Sequence, residues 1–491
     1  MFCLAVVVLK FLLLALDPSP KFYLGDSISY IWTALTGWIP EDRSYFYGFI
    51  VRWFALWTGS LTSLLILQTF LGAIIAITTG WVCRAYFGLS AKMAYLFGIL
   101  CAIDPLQVTW ERYLMTEICS LFVYTLVLQQ SFAYLRSRKI ATLLFIQVLS
   151  VLTFGFRTVF LIPVLVMAVA LPVIAFCQAR LDFLRHRVFW QHLAASVIAM
   201  FVLDQAYQRA YGFLTHREPA HLHAAGYFLL AICAPALQPQ DATDPRLAKI
   251  IEQGDEFGLH NFDLRNEQRF IAGYLVDRWR RAEPNRVKSS KVATATALNT
   301  FRRDPVAVAG FAAKTFFILL HPAQMKRFAQ WDLGNGILKD KELKFLAERF
   351  HWTGRADVAS EPQTFVKWYY VAGTPWYLVV MLSPLLALAL LILAADKRQA
   401  WLLFLHTTIL MAATFLFATG PITRYLQPLS LLTLLMFAAA VRSIPPWTQM
   451  PGKRISQWLA PVRRWSKRPR PDRSAKLQSP LWPRSICSPV W

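Results

Sequence analysis

No glycine-rich phosphate loop, no Gly-x-Ser-x-Gly elbow and no Cys-x-x-Cys pair occurs among the 491 residues of this chain. Without the phosphate loop, a nucleotide-hydrolysing pump is disfavoured. The seven cysteines (Cys3, Cys83, Cys101, Cys119, Cys177, Cys233 and Cys487) are scattered, mostly in or beside apolar stretches. They read as small buried hydrophobes rather than as a disulfide framework or metal site. Charge is scarce at 16% of residues, against about 25% in soluble domains. Acids are scarcer still, with 28 Asp and Glu against 51 Lys and Arg, a formal charge of +23. In a soluble protein that excess would suggest nucleic acid. Here short cytoplasmic loops rich in Lys and Arg account for it, and nucleic acid is not expected as a partner.

What the chain has in abundance is apolar length. Hydrophobic residues make up 56%, aromatics 14%, and the mean hydropathy is +0.41. Val159 to Phe176 reads VFLIPVLVMAVALPVIAF, with no polar or charged side chain, and a run of that length is a membrane-span candidate. Further spans are expected at 2–16, 60–82, 90–104, 115–135, 140–156 and 190–206, then at 305–320, 375–394, 400–418 and 425–441. Long solid runs exclude the alternating strands of a barrel, so all should be helices. The expected fold is an all-α polytopic membrane protein with about 11–13 spans. Met1–Leu16 reads as a retained first span rather than a cleaved signal peptide.

Basic residues set the orientation. Arg84 and Lys92 flank one short turn, Arg136, Arg138 and Lys139 fill another, Arg180, Arg185 and Arg187 a third, and Lys397 and Arg398 mark a fourth. Placing these in the cytoplasm puts 17–59, 104–114, 419–424 and the turn at Arg157 on the opposite side. The long polar region 207–304 leaves two options. Either 222–237 also crosses, or 305–320 lies flat or re-enters. The domain division is 1–441 for the membrane bundle and 442–491 for a basic, disordered cytoplasmic tail that should attract anionic lipid headgroups.

The outward segments carry the candidate chemistry. In LGDSISYIW, Asp26 is either an N-cap for the helix that follows or a catalytic carboxylate able to take a proton from an acceptor. Tyr30, with Tyr23 and Trp32, either lines an acceptor groove or anchors the chain at the interface. In AIDPLQVTWERYLMTEICSLF, Asp104 and Glu111 form a second acidic element, able to orient an acceptor or help hold a divalent cation with a donor phosphate. Arg112 and Glu117 stand at the start of the next helix. A carboxylate there is favourable in any protein, but near the hydrocarbon it also marks function. Arg157 either snorkels to the interface or contacts phosphate. Arg424 and Tyr425, in GPITRYLQPL, could bind a lipid-linked phosphate or close over a sugar. His216, His221 and His223 cluster without a familiar zinc spacing.

Three of these segments, GDSISYIW at 25–32, DPLQVTWERYLMTEICSLF at 104–122 and GPITRYLQPLSLL at 420–432, resemble the GT-C superfamily of membrane glycosyltransferases. The resemblance is to the bacterial group related to protein O-mannosyltransferases, lipid A aminoarabinose transferases and Rgt-type lipopolysaccharide sugar transferases, and it covers residues 1–441. It implies a GT-C helix bundle whose extracytoplasmic loops carry short helices, in the bacterial inner membrane, with its active site on the periplasmic or outer face. It implies a polyprenyl-phosphate sugar donor, a lipid, lipopolysaccharide or protein acceptor, and an inverting transfer. Asp26 would then be the base or acceptor-orienting carboxylate and Asp104 and Glu117 supporting acids. Tyr30, Glu111 and Arg112 would contact substrate, while Arg424, Arg157 and Tyr425 would receive the donor. A Mg or Mn ion is compatible with the acidic loops. Here Ser27 follows Asp26 where many relatives carry a second acid. The rival readings are a lipid-linked glycan flippase or transporter, and a surface polysaccharide polymerase or ligase that would use 207–304. No internal repeat of the transporter kind is evident.

Overall fold

The computed structural model describes residues 1–177, 184, 186–333, 338–354 and 364–443. Arg180, Arg185, Cys487 and the basic tail beyond residue 443 lie outside the described residues. Within them the chain is helical, apart from a single isolated bridge between Lys21 and Tyr113.

Among the described residues, six helices are long and apolar enough to cross a membrane: Leu61–Ala85, Glu117–Ser137, Thr158–Phe176, Arg187–Thr215, Lys397–Leu416 and Thr423–Ser443. The first, at 25 residues, is about 37 Å long, more than the ~30 Å hydrocarbon core. Phe2–Leu16, Ala91–Ala102 and Ile140–Phe156 are shorter apolar helices and pack on these longer ones. Large apolar side chains such as Phe201, Phe317 and Ile392 stay exposed on the bundle, as a lipid-facing surface requires. The chain is thus a polytopic, all-α membrane protein.

Two more apolar helix pairs are broken at prolines. Pro305–Leu320 and Pro322–Leu333 meet at 95°. Pro322 bars His321 from the helical region, and His321 adopts an extended conformation there. Thr374–Met381 and Ser383–Leu393 meet at 51°, where Pro384 lacks the N–H that would continue the ladder. The 95° bend after 305–320 is that of a broken span or a re-entrant loop rather than of one straight crossing. The alternative crossing at 222–237 fares worse. Ala225–Cys233 has nine residues, about 14 Å, and it is buried in a separate apolar core with Leu247, Leu275, Trp279, Ala293 and Ala297. Region 207–304, read from its polarity as a loop, is therefore largely folded. Trp279 Nε1 donates to the Ser289 carbonyl at 2.9 Å, and Arg246 bridges Asp244 and Glu283.

Helix ends sort the polar residues. Glu117 opens one long helix, Arg157 closes Ile140–Phe156, and Arg424 lies in the first turn of Thr423–Ser443. These ends gather at one mouth of the bundle. The folded 207–304 unit is tied to the same mouth, through Arg217 and Arg280 on Glu41 and through the Ala224 N–H on the Glu41 carbonyl.

Candidate active site

Asp26 sits in the first turn of Leu24–Thr36, where a carboxylate is favourable. It is not the N-cap of one of its two sequence readings. Tyr23 occupies that position, and Ser27 Oγ accepts from the Tyr23 N–H at 2.8 Å. The Asp26 carboxylate turns to Arg43 and ion-pairs through Oδ1. Arg43 also donates to Ser29 Oγ at 2.6 Å and lies 3.7 Å from Asp42. Burial disfavours the Arg43 charge, but Asp26 and Asp42 outweigh it and hold the guanidinium above its ordinary pKa. Asp26 Oδ2 accepts no hydrogen bond among the described residues; Arg424 Nη1 is 3.7 Å away.

Arg424 joins Asp26 to Glu117, whose Oε1 lies 3.8 Å from Arg424 Nη1 and 3.6 Å from Arg157 Nη2. The Tyr23 ring packs 4.1 Å from the Arg424 guanidinium, and the Tyr425 ring lies against both arginines at 4.9 and 5.3 Å. Asp332 fixes the turn bearing Arg424. Its Oδ2 accepts from the backbone N–H of Thr423 at 2.7 Å and of Arg424 at 3.0 Å, and from the Thr423 hydroxyl.

The satisfaction of these groups is incomplete. Glu117 Oε2, both terminal nitrogens of Arg157, and Nε and Nη1 of Arg424 are buried without a hydrogen-bond partner among the described residues. Buried guanidinium N–H groups left open are costly. Arg43, Arg157 and Arg424 face Asp26, Asp42, Glu117 and Asp332, so it is the open guanidinium N–H groups, not an excess of positive charge, that would suit an anion rich in acceptor oxygens. Beside this cluster is a cavity of about 340 Å3 lined by Asp42, Arg43, Arg217, Arg269 and Arg280, among others. Arg269, 3.5 Å from Asp42, is pushed down to about 9 by burial.

Asp104, Glu111 and Arg112 make their contacts elsewhere. Asp104 caps Pro105–Trp110 through the Leu106 N–H at 3.1 Å and accepts from Ser430 Oγ at 2.6 Å; burial raises its pKa to about 6. Glu111 is fully buried, 2.5 Å from Lys10 and 3.5 Å from Arg112, and burial raises its pKa. Arg112 donates to Thr69 Oγ1 at 3.2 Å. Gly72 makes room for this web, since a Cβ there would collide with the Glu111 carboxylate. Tyr30 lies under Arg43, 5.9 Å from ring centre to guanidinium, with its ring edge-on to Tyr47. His221 pairs with Asp204 and His223 with Thr215. No group of three or more His, Cys, Asp or Glu side chains positioned for a metal occurs among the described residues.

Sequence reasoning missed Arg43, Arg269 and Asp332. Arg43 follows two acids and reads as a local surface pair. Asp332 lies in the second arm of the bent helix pair, outside the expected spans, although an acid in such a segment is itself a signal.

Fold and site together define a membrane protein with a carboxylate–guanidinium centre at one mouth of its helical bundle. No family model and no curated protein matches the chain. Among solved structures, the crystal structure of ArnT from Cupriavidus metallidurans bound to undecaprenyl phosphate is similar over 89% of this chain and 77% of that one, at 13% identity and a TM-score of 0.36. A likeness of that size assigns neither family nor activity.

Proposed function

We propose that the chain is a glycosyltransferase that moves a sugar from a polyprenyl-phosphate donor to a lipid, lipopolysaccharide or protein acceptor at the extracytoplasmic face of a bacterial inner membrane. The observation that carries this reading is the pair of buried arginines, Arg157 and Arg424, with open N–H groups beside Asp26 and Glu117. In the reaction, an acceptor hydroxyl gives its proton to Asp26 Oδ2 while its oxygen bonds to the anomeric carbon. The bond from that carbon to the phosphate oxygen breaks, and polyprenyl phosphate leaves with the electron pair. Attack opposite the leaving group inverts the anomeric centre. The general base must reach the acceptor proton, and the charge growing on phosphate must meet fixed donors. Arg157 and Arg424 supply those donors, and Glu117 and Tyr425 hold them in place.

Asp104 accepts from Ser430 and the Leu106 N–H and Glu111 Oε1 from Lys10, while Glu111 Oε2 has no hydrogen-bond partner among the described residues. The phosphate charge is assigned to the arginines, and no Mg or Mn ion is drawn on. Tyr30 shapes the floor under Arg43.

The test is a transfer assay with the purified full-length chain, a panel of polyprenyl-phosphate sugars and extracted envelope lipids and proteins. The expected result is release of free polyprenyl phosphate matched by glycosylated acceptor. Movement of the intact lipid-linked glycan across the bilayer without bond cleavage would overturn the reading in favour of a flippase.

A further inference from the structure

A larger cavity, about 1470 Å3, lies at the other end of the bundle. Arg136, in the last turn of the Glu117–Ser137 helix, lines it, about 29 Å along that helix from Glu117. Arg442 lines it too, at the far end of the helix that begins beside Arg424. This is therefore not the carboxylate site.

Its composition is two-sided. Val173, Ile174, Leu390 and Leu405 give it apolar walls between membrane helices. Its cations are Arg136, Arg138, Lys397, Arg398 and Arg442, against Asp396 as the acid among the described lining residues. Asp396 does little to neutralise them. Its Oδ1 accepts from the Arg398 and Gln399 N–H groups at 3.0 and 3.4 Å as a helix cap, and its ion pair with Arg398 is long at 3.9 Å. Three cations have structural work: Lys397 Nζ caps the Leu391 and Ile392 carbonyls, Arg136 donates to the Tyr86 carbonyl, and Arg398 Nη1 donates to the Leu135 carbonyl at 3.5 Å. The side chains of Arg138 and Arg442 donate no hydrogen bond among the described residues. Arg138 also holds a left-handed backbone, φ +49°, at a helix end where glycine is the usual occupant.

The Arg138 guanidinium lies 5.1 Å over the Phe176 ring, and guanidinium forks that have no carboxylate partner among the described residues, set beside an apolar wall, match a ligand with both a phosphate and hydrocarbon chains. A soluble phosphate would satisfy the forks and leave the walls wet; a neutral lipid would do the reverse. We propose that this cavity binds an anionic phospholipid, with its phosphodiester held by Arg138 and Arg442 and its acyl chains lying along the walls between the helices. Basic pockets between membrane helices are suited to such headgroups. The proposal depends on the membrane-spanning fold and not on what the opposite mouth transfers.

The test uses the purified full-length chain in phosphatidylcholine nanodiscs, titrated with phosphatidylglycerol and, separately, with inorganic phosphate. Retained lipid is counted by native mass spectrometry. The wild type should retain phosphatidylglycerol over phosphatidylcholine by about tenfold or more, and phosphate should not displace it. The double variant Arg138→Gln, Arg442→Gln should lose that preference to within about twofold, with an unchanged melting temperature in pure phosphatidylcholine. Arg442→Lys should reduce it without abolishing it, because the charge remains and the fork is lost. Arg281→Gln, an exposed arginine of the folded unit paired with Asp277, should keep it. Wild-type selectivity in the double variant would overturn the proposal, as would equal retention of phosphatidylcholine. Displacement of phosphatidylglycerol by inorganic phosphate would overturn it in favour of a free-anion site.

Discussion

The two ends of the bundle use arginine in opposite ways. At the carboxylate mouth, Arg43, Arg157 and Arg424 are buried or nearly so, stacked on tyrosines and set against Asp26 and Glu117. At the other end, five cations share one cavity with a single described carboxylate, which is occupied as a helix cap. Opposing acids confine the first set into fixed directions, which positions an anion during a reaction. Without them, the second set remains a region of positive potential, which attracts an anion and holds it. Orientation at one end and retention at the other follow from where the acids are.

Substitutions can break this contrast. The largest expected effect is Asp26→Asn, which keeps an acceptor for Arg43 but removes the base. Transfer should fall by about 10³-fold with the melting temperature unchanged. Next, Arg424→Gln should lower kcat by about 10²- to 10³-fold, whereas Arg442→Gln at the other end should leave transfer in phosphatidylcholine unaltered. Equal losses from the two would erase the distinction.

Lys10→Met strands Glu111 as a buried, partly unpaired acid. It should destabilise the fold by about 3 kcal/mol, read as a lowered melting temperature without a specific effect on kcat at permissive temperature. Asp104 carries a pH signature. Its folded pKa of about 6 exceeds its ordinary 3.8, so the fold favours the protonated acid. That stability is complete below pH ~4 and is lost as pH rises through ~6, by about 2–3 kcal/mol. Thermal melts of the wild type should therefore decline from pH 4 to 6.5 by more than those of Asp104→Asn. The smallest effect is expected for Asp332→Asn, which weakens the grip on the Thr423–Arg424 turn and should cut transfer about tenfold. Because Asp332 positions Arg424 rather than touching substrate, the loss should appear in kcat more than in KM.

Much of the bundle was legible because hydrocarbon tolerates little except apolar helices. The expected 2–16, 140–156 and 305–320 coincide with Phe2–Leu16, Ile140–Phe156 and Pro305–Leu320. The breaks were less visible, because a proline in an apolar run announces a bend but not whether it turns the chain by 51° or 95°. The folded nature of 207–304 was hidden by its polarity, since its core is built from a few dispersed residues such as Leu230, Leu247 and Trp279. Asp26, Glu117, Arg157, Arg424 and Tyr425 were each singled out from loop position, and the fold brings them to one mouth. Asp104, Glu111 and Arg112 have the same local appearance. What separates them is Lys10, a lone cation in the first apolar helix and 101 positions from Glu111, together with Ser430 for Asp104. Partners that distant leave no trace in spacing.

The central claim is that Asp26 and Arg424 serve one bond-breaking event. A double-mutant cycle in single-turnover sugar transfer, with Asp26→Asn, Arg424→Lys and the two combined, addresses it directly. Groups acting on the same transition state give non-additive losses, so the combined variant should be within about threefold of Asp26→Asn alone. Losses that multiply in full would show two independent contributions and contradict the account.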